Sequence, residues 1–358
     1  GDDQSPNIRS CLVAREIRTA GQDAIFAPTP PLESLRMILT MATTDFGNAW
    51  RVCRDPESEQ RTRILMVDIS RAYFNAKTND DEPIYVQLPD EAGCAEGQCG
   101  LLRRHMYGTR RAAEGWQDEY SATLVSAGFL QGKASACVFM HPQRRIAVSV
   151  HGDDFTATGP KVELDWFQAM LEAHYELTVG RLGPDAGDDK EATVLTRVIR
   201  WTEAGVEYEA DPRQVERLLE EIELDSDGVK GLATPSVQPK QHQIQDEQPL
   251  PEGQHTRFRG LAARANYLAA DRIDVIYAAN EVCRFMAKPT DVAMAALKRL
   301  GRYLRSRPRM VFTMPFQDCD HIDVYSDTDW AGCLRTRKST SGGCVVLGSH
   351  MTKAGSAT

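Results

Sequence analysis

The sequence has no run of about 18 consecutive apolar residues, which is the length that a membrane-spanning helix needs. Its first residues, Gly-Asp-Asp-Gln-Ser-Pro, show no signal-peptide features. Cys-x-x-Cys pairs are also absent, and the nine cysteines are an odd number at irregular spacings. We therefore expect no membrane partner and reduced thiols in an intracellular compartment. Cys94 and Cys99 lie closest together, and without a second Cys or His pair nearby they indicate a loop rather than a zinc site.

Positive net charge is absent as well, since the formal net charge is −9 at pH 7. Phosphate binding needs positive surface, so this balance by itself counts against a nucleic-acid-binding protein. The basic residues are clustered, however, which leaves two alternatives open: local grooves that bind phosphates, or ordinary solvated helix faces. The clusters are Arg103, Arg104, Arg110 and Arg111, and Lys298, Arg299, Arg302, Arg305, Arg307 and Arg309.

At 358 residues the chain is too long for one ordinary core and predicts two or three subdomains. Its 42% hydrophobic and 26% charged content is typical of a globular protein. Because residue 1 is not Met, we expect a fragment of a longer chain.

The most informative stretch is residues 146–159, Ile-Ala-Val-Ser-Val-His-Gly-Asp-Asp-Phe-Thr-Ala-Thr-Gly. Its apolar residues alternate on both sides of Asp153 and Asp154, which predicts a hairpin with two acids at the tip. Adjacent carboxylates repel each other unless a cation, a basic side chain or water relieves them. Mg²⁺ prefers such hard oxygen ligands, although a solvated turn explains an isolated acidic pair equally simply.

A second stretch, Ile64-Leu65-Met66-Val67-Asp68, adds a third acid. Four consecutive apolar residues are typical of a strand buried on both faces, and Asp68 stands at its end. If Asp68 lies beside the hairpin acids, the three carboxylates form a site that can hold two divalent ions for phosphoryl or nucleotidyl transfer.

Other residues predict the surrounding elements. Residues 32–42 and 113–128 read as helices, the second with Trp116, Tyr120 and Leu124 at four-residue steps and Gly128 placed to stop it. Residues 193–210 predict a hairpin, and Pro212 predicts a helix start. We expect helices over 257–306, with a core of Phe258, Leu261, Tyr267, Ile276, Phe285 and Leu297 and a basic segment, 298–309, that lies along a duplex.

Several motifs resemble, in order, those of copia-type LTR retrotransposon reverse transcriptases. They are Asp68 with Ala72-Tyr73-Phe74, Met106-Tyr107-Gly108 leading to Trp116, and Ser149 to Gly159. Further motifs resemble the segment joining that polymerase to its ribonuclease H. These are Tyr267-Leu268-Ala269, Arg284-Phe285-Met286, Leu297-Lys298-Arg299, Arg302-Tyr303-Leu304, Tyr325-Ser326-Asp327, Asp329-Trp330-Ala331-Gly332 and Arg337-Lys338-Ser339-Thr340-Ser341-Gly342.

The resemblance implies an α+β right-hand polymerase with fingers, thumb and a ferredoxin-like palm, in which a split β-α-β order brings Asp68 to the hairpin acids. A helical connection and the truncated start of a ribonuclease H-like segment would follow. The implied division is fingers and palm over 1–185, primer grip and thumb over 186–228, a Pro- and Gln-rich linker over 229–256, the connection over 257–316 and the incomplete ribonuclease H-like segment over 317–358.

The resemblance also implies roles for individual residues. Asp68, Asp153 and Asp154 would be the catalytic, metal-binding acids, with Mg²⁺ as the cofactor and Mn²⁺ as its substitute. Asp327 matches the first metal-binding carboxylate of ribonuclease H, and since the chain stops at Thr358 we expect no ribonuclease H activity. The implied nucleotide-binding residues are Arg9, Arg15, Ile69, Tyr73 and Arg111, where Tyr73 packs under the sugar and excludes a 2′-hydroxyl.

The expected partners are an RNA template, a DNA primer and dNTPs. A full-length element would add integrase, protease and the rest of ribonuclease H. The expected location is intracellular, in the cytoplasm or in virus-like particles.

Four positions depart from the family's pattern and support rival interpretations. Cys11 replaces an arginine, Arg111 and Ala113 replace the Gln and Pro of Gln-Ala-Pro, and His151 stands in place of a tyrosine. The main rival is therefore a degenerate, inactive relic that only binds nucleic acid. A third interpretation, independent of the family, is a two-metal nuclease or phosphotransferase that uses the same acids.

Overall fold

The computed structural model describes residues 12–17, 27–95, 97–226 and 228–357. These residues form two compact units. The N-terminal unit comprises the described residues of Gly1–Ile38 and Cys53–Arg181, and the C-terminal unit comprises those of Leu39–Val52 and Leu182–Thr358. Helices and strands are mixed throughout, so the predicted α and β content is confirmed.

The helices match the apolar patterns of the sequence. No helix among the described residues combines the length and apolar character needed to cross a membrane. The α-helices are α1 Leu32–Thr43, α2 Ala112–Ser126, α3 Lys161–Glu172, α4 Pro212–Glu221, α5 Gln241–Gln245, α6 Glu252–Ala269, α7 Ile276–Cys283 and α8 Asp291–Ser306, and short 3₁₀ turns span Ala72–Asn75, Asp90–Ala92 and Ile273–Val275.

The strands lie in several separate sheets. In chain order they are β1 Thr44–Asp45, β2 Thr62–Ile69, β3 Tyr85–Gln87, β4 Cys99–Leu101, β5 Leu130–Gln131, β6 Val138–His141, β7 Ile146–His151, β8 Asp154–Pro160, β9 Leu177–Leu182, β10 Glu191–Val194, β11 Arg197–Trp201, β12 Gly205–Glu209, β13 Val311–Pro315, β14 Gln317–Asp318, β15 Ile322–Thr328, β16 Ser341–Leu347 and β17 His350–Ala357.

The main sheet of the N-terminal unit has the order β5-β6-β7-β8-β2-β9. Strand β8 pairs antiparallel with β7 on one side and with β2 on the other. Helix α2 follows β2 in the chain, and α3 connects β8 to β9, so the order β9-β2-β8-β7 is that of a split β-α-β unit. This order brings the end of β2 next to the β7–β8 turn.

The core of this unit lies between the sheet and its helices. The stripe of Trp116, Tyr120 and Leu124 on α2 is buried against β2, β7 and β8, as is the stripe of α3. Helix α2 ends two residues before Gly128, whose φ of +97° favours glycine. The predicted helix, its apolar stripe and its glycine stop are therefore confirmed.

The C-terminal unit contains a four-stranded antiparallel sheet of order β10-β11-β12-β13 and a three-stranded sheet of order β15-β16-β17. Strands β11 and β12 form the predicted hairpin. Pro212 is the first residue of α4, and the Asp211 carboxylate caps this helix by accepting the Arg213 backbone N–H. Strand β12 also pairs with β13, so residues on both sides of 229–256 share one sheet.

Helices α4, α6, α7 and α8 bury a common apolar core in the C-terminal unit. Phe258, Leu261 and Leu297 are fully buried in it, as predicted, and Ile276 and Phe285 pack against it. Tyr267 was predicted as a core residue, and that prediction is wrong. The residue is 43% exposed and its ring lies under the guanidinium of Arg197, because the stripe of α6 that faces the other helices passes beside it.

The residues predicted as a linker lie along α8. Arg302 donates to the backbone carbonyl of Lys230, Arg305 donates to that of Val229, and Arg299 donates to the Thr234 hydroxyl. The cationic groups of α8 therefore hold a neighbouring segment of the same chain. These three arginines are engaged within the chain, while the expectation that residues 298–309 lie along a duplex and the division into five segments stay predictions.

Candidate active site

Asp68 occupies the place that the sequence predicts, near the end of β2. This strand buries its first four residues, Val67 and Ile69, whereas Asp68 is exposed. In the antiparallel pairing of β2 with β8, Asp68 stands directly opposite Asp154. Directly opposed residues have Cβ atoms about 4.5–5.5 Å apart, so the register alone brings the two carboxylates together.

The second part of the site is the tight turn between β7 and β8. His151 and Asp154 form the last pair of the hairpin, which leaves Gly152 and Asp153 as the two turn residues. Gly152 has a φ of +66°, a conformation that favours glycine. The backbone N–H of Ile69 donates to the carbonyl oxygen of Asp153 at 3.0 Å and ties the turn to β2. The predicted hairpin with acids at its tip is confirmed.

Asp68, Asp153 and Asp154 thus form one carboxylate cluster, in which the ligand oxygens lie within 4.8 Å of one another. Across the described ranges, no other group of three His, Cys, Asp or Glu side chains is close enough to share a metal ion. Partial burial raises the pKa of Asp154, and the charges of Asp153 and Asp68 raise it further, while His151 acts in the opposite direction. The cluster is therefore compatible with a divalent cation, which would offset this repulsion with hard oxygen ligands.

Tyr73 lies close to the carboxylate cluster, on the 3₁₀ turn after β2. Burial raises the pKa of its phenol, and so does the nearby charge of Asp153. Its ring packs on that of Tyr107, with centroids 4.4 Å apart. Tyr73 therefore lies beside Asp153, and the Tyr107 ring packs against it.

The N-terminal residues predicted to bind nucleotide are only partly described. Arg9 and Cys11 lie outside the described residues, while Arg15 is exposed on the segment 12–17. This segment runs beside Tyr107 and Gly108. The N–H of Ala14 donates to the Tyr107 carbonyl, and the N–H of Glu16 donates to the Gly108 carbonyl. A Cβ atom on Gly108 would meet the Ala14 carbonyl oxygen at 1.8 Å, so this approach requires glycine.

Ile69 and Arg111 lie in settings that the sequence did not reveal. The side chain of Ile69 is fully buried in the core beneath the acids. Arg111 stands at the start of α2 and forms an ion pair with Glu82. Their assignment to nucleotide binding stays a prediction.

Asp327 has a different environment from the three acids. It lies on the exposed strand β15 and accepts the backbone N–H of Thr328. Asp327 pairs across the sheet with Gly342 and belongs to no acidic cluster within the described part of the chain. Its predicted role as a ribonuclease H carboxylate stays a prediction.

Trp116 contacts the site in a way that the sequence pattern did not reveal. Its indole N–H donates to the carbonyl oxygen of Gly152 at 2.8 Å, directly below the acidic turn. The apolar stripe of α2 indicated only core packing, because periodicity does not distinguish a buried indole with a polar partner from one without. The fold and the site together define a protein that carries a carboxylate centre on a split β-α-β sheet.

Comparisons with known proteins identify this class more closely. Residues 7–184 match the family model of the reverse transcriptase (RNA-dependent DNA polymerase). The chain is 25% identical over 336 residues to the retrovirus-related Pol polyprotein from transposon RE2 of Arabidopsis thaliana, covering 91% of this chain and 21% of that protein. It is 22% identical over 336 residues to the Pol polyprotein from transposon TNT 1-94 of Nicotiana tabacum, covering 89% of this chain and 23% of that protein.

Through residues 7–184 the chain belongs to the reverse transcriptase family, of the kind found in retrotransposon Pol polyproteins. The resemblance stated from the sequence motifs is therefore confirmed. The chain spans about a fifth of the length of these curated relatives.

Proposed function

We propose that this chain is an RNA-directed DNA polymerase of the copia type, which transfers nucleotides onto the 3′-hydroxyl of a primer. The observation that carries the proposal is the convergence of Asp68, Asp153 and Asp154 from two strands at one end of the sheet. In this proposal the sheet with α2 and α3 is the palm of a right-hand polymerase. Fingers and thumb would be formed by the segments around it.

The three carboxylates would hold two divalent ions, Mg²⁺ or Mn²⁺, because their oxygens are the hard ligands that these ions prefer. When bound, the ions would lower the pKa of the attacking 3′-hydroxyl and stabilise charge on the transferring and leaving phosphates. Asp68 would contribute from β2 and the other two acids from the turn, so the pairing of β2 with β8 determines whether the site assembles. Tyr73, held against Tyr107, would lie under the sugar of the incoming nucleotide.

The proposed partners follow from this reaction: an RNA template, a DNA primer and dNTPs, bound chiefly through phosphate contacts and therefore sensitive to salt. In a full-length element we propose further Pol segments, namely integrase, protease and ribonuclease H, with Asp327 as a carboxylate of the last. The free thiols at the eight described cysteines favour a reducing, intracellular location, in the cytoplasm or in virus-like particles.

A second candidate function is nucleic-acid binding without catalysis, by a degenerate copy of the enzyme. The ion pair between Arg111 and Glu82 favours it, because this arginine replaces a family glutamine and its charge is engaged within the protein. His151, which stands opposite Asp154 in place of a family tyrosine, favours it too.

Primer extension on poly(rA)/oligo(dT) with Mg²⁺ and dTTP separates these functions. We expect the unchanged chain to extend the primer and the double variant Asp153→Asn, Asp154→Asn to give no extension above background, because neutral amides lack the negative charge that balances two divalent ions. The matched control is Asp90→Asn, Glu91→Gln, which neutralises an exposed acidic pair elsewhere in the same unit.

The outcomes are distinct. Extension by the control but not by the site variant supports the polymerase. Binding of the labelled hybrid without extension by any form, at a salt concentration that permits binding, would favour the inactive relic. Cleavage of the hybrid without any need for dTTP would instead identify a nuclease.

A further inference from the structure

The turn that carries the acids has a defined type. Of its two central residues only Gly152 has a positive φ, and Asp153 is not among the residues with positive φ. Glycine at the first central position with negative φ at the second is the pattern of a type II′ turn. The alternative, type I′, has positive φ at both central positions.

The sequence Gly-Asp can adopt either turn. Glycine accepts positive φ at no steric cost, and aspartate is one of the residues that tolerate the left-handed region. The two types differ in the orientation of the central peptide, since ψ of the first residue and φ of the second change by roughly 150° and 170°. A change of turn type would therefore turn over the Gly152 carbonyl and tilt the Cα–Cβ bond of Asp153.

Trp116 acts on this peptide. The central peptide group joins Gly152 to Asp153, and its carbonyl oxygen is the one that accepts the indole N–H at 2.8 Å. The carbonyl of Asp153 itself accepts the N–H of Ile69 at 3.0 Å. Both peptide groups that flank the Cα atom of Asp153 are thus held, which determines the direction of its Cβ atom.

The indole is itself rigidly placed. Trp116 is 1% exposed and packs edge-on against Tyr120 and Tyr175, with ring centroids 5.5 and 5.3 Å away. Tyr120 in turn packs against Phe155, the residue that follows Asp154. Helix α2 therefore supports the acidic turn through one hydrogen bond and a continuous set of aromatic contacts.

We propose that Trp116 is a positioning residue that holds the type II′ turn and thereby keeps the Asp153 carboxylate in the metal site. This inference rests on the proposed function only in taking the carboxylate cluster as a metal site. Trp116 touches neither substrate nor ion, and its effect is exerted through the Gly152 carbonyl. Loss of the indole N–H frees the peptide to rotate and weakens metal binding.

The test is a calorimetric titration of the full chain with Mn²⁺. We expect Trp116→Phe to raise the dissociation constant about tenfold, the size of effect typical for residues that orient metal ligands. The matched control is Trp166→Phe, which removes the same ring volume at the edge of the same core, where Trp166 stacks on Phe129 and lies under Arg144. It is expected to leave Mn²⁺ affinity within about twofold, since the packing and the Arg144 contact that it changes lie away from the acidic turn.

A second variant separates hydrogen bonding from folding. Benzothienylalanine at position 116 keeps the shape of the indole and replaces the N–H by sulfur. We expect it to weaken Mn²⁺ binding like Trp116→Phe while the melting temperature stays near that of the unchanged chain. A crystal structure of this variant would show whether the Gly152 carbonyl has rotated.

The two proposals fail in different ways. Unchanged Mn²⁺ affinity in both position-116 variants, with the unchanged chain binding Mn²⁺, would overturn the role of Trp116 and leave the proposed function intact. No Mn²⁺ binding by the unchanged chain would overturn the proposed metal site. In that case the crystal structure of the benzothienylalanine variant still tests whether Trp116 holds the turn. A Gly152 carbonyl that has not rotated would refute that role.

Discussion

Asp68 and Asp327 each stand one residue before the end of a strand, yet their surroundings differ. Asp68 lies opposite another acid, Asp154, on a strand whose other residues are mostly buried. Asp327 lies opposite Gly342 on a strand that is largely exposed, with Val324 71% accessible. A carboxylate at a strand end therefore becomes part of a cluster only when the partner strand supplies further acids in register.

The comparison also shows what supports a site. Beneath Asp68 the strand is anchored in the core of the N-terminal unit, and the opposing turn is tied down by hydrogen bonds to Ile69 and Trp116. The Asp327 carboxylate instead accepts the backbone N–H of Thr328 within its own strand. We expect the two aspartates to respond very differently to the same substitution.

The largest expected difference is in catalysis. Asp68→Asn should lower primer extension by about 100-fold or more, because it removes a proposed metal ligand rather than a residue that merely orients one. Asp327→Asn should leave extension within about twofold. Both are measured as initial rates of dTTP incorporation on the same hybrid. Equal losses in both variants would show that the cluster has no special role.

The supporting strands should differ in stability. Val67→Ala removes buried methyl groups and should cost about 2 kcal/mol of unfolding free energy, whereas Val324→Ala should change it by less than about 0.5 kcal/mol. Hydrogen exchange of the amides in β2 and β15 measures the two strands separately. A similar cost at both positions would contradict the difference in burial.

The smallest expected effect is on how the free energy of unfolding depends on pH. The residues compared are Asp154 and Glu209, a buried acid of the C-terminal unit. Hydrogen bonds from Arg309 and then Arg200 lower the pKa of Glu209, so its ionised form stabilises the fold. Glu209→Gln should cost about 1 kcal/mol at pH 7, and this cost should disappear as the pH falls through that lowered pKa.

Asp154 should behave in the opposite sense. Burial and its acidic neighbours raise its pKa, so in the absence of metal its ionised form opposes folding above that pKa. Asp154→Asn should therefore raise metal-free stability at pH 7, with a gain that shrinks on acidification. Urea unfolding over a pH series in a chelating buffer measures both variants. If Asp154→Asn instead lowers the metal-free stability, then burial and the neighbouring acids do not destabilise the ionised Asp154 carboxylate in the folded chain.

Local patterns predicted most elements around the site. Alternating apolar residues predicted the β7–β8 hairpin, and the spacing of Trp116, Tyr120 and Leu124 predicted α2, because each pattern depends only on near neighbours. The basic residues of α8 were harder to interpret. Arg302 and Arg305 bind carbonyls of residues 229–230, and a charge pattern does not reveal such a partner some 70 residues away.

The three acids, the strands that carry them and the family motifs around them can all be read from the amino-acid sequence. The pairing of β2 with β8 in the register that sets Asp68 against Asp154, and the hydrogen bond from Trp116 to the turn, become visible only in the folded chain. Strand and helix periodicity arise from contacts between residues near in sequence. The pairing register and the hydrogen bond to Gly152, by contrast, join residues far apart in the chain, and they form only when the whole sheet packs against α2.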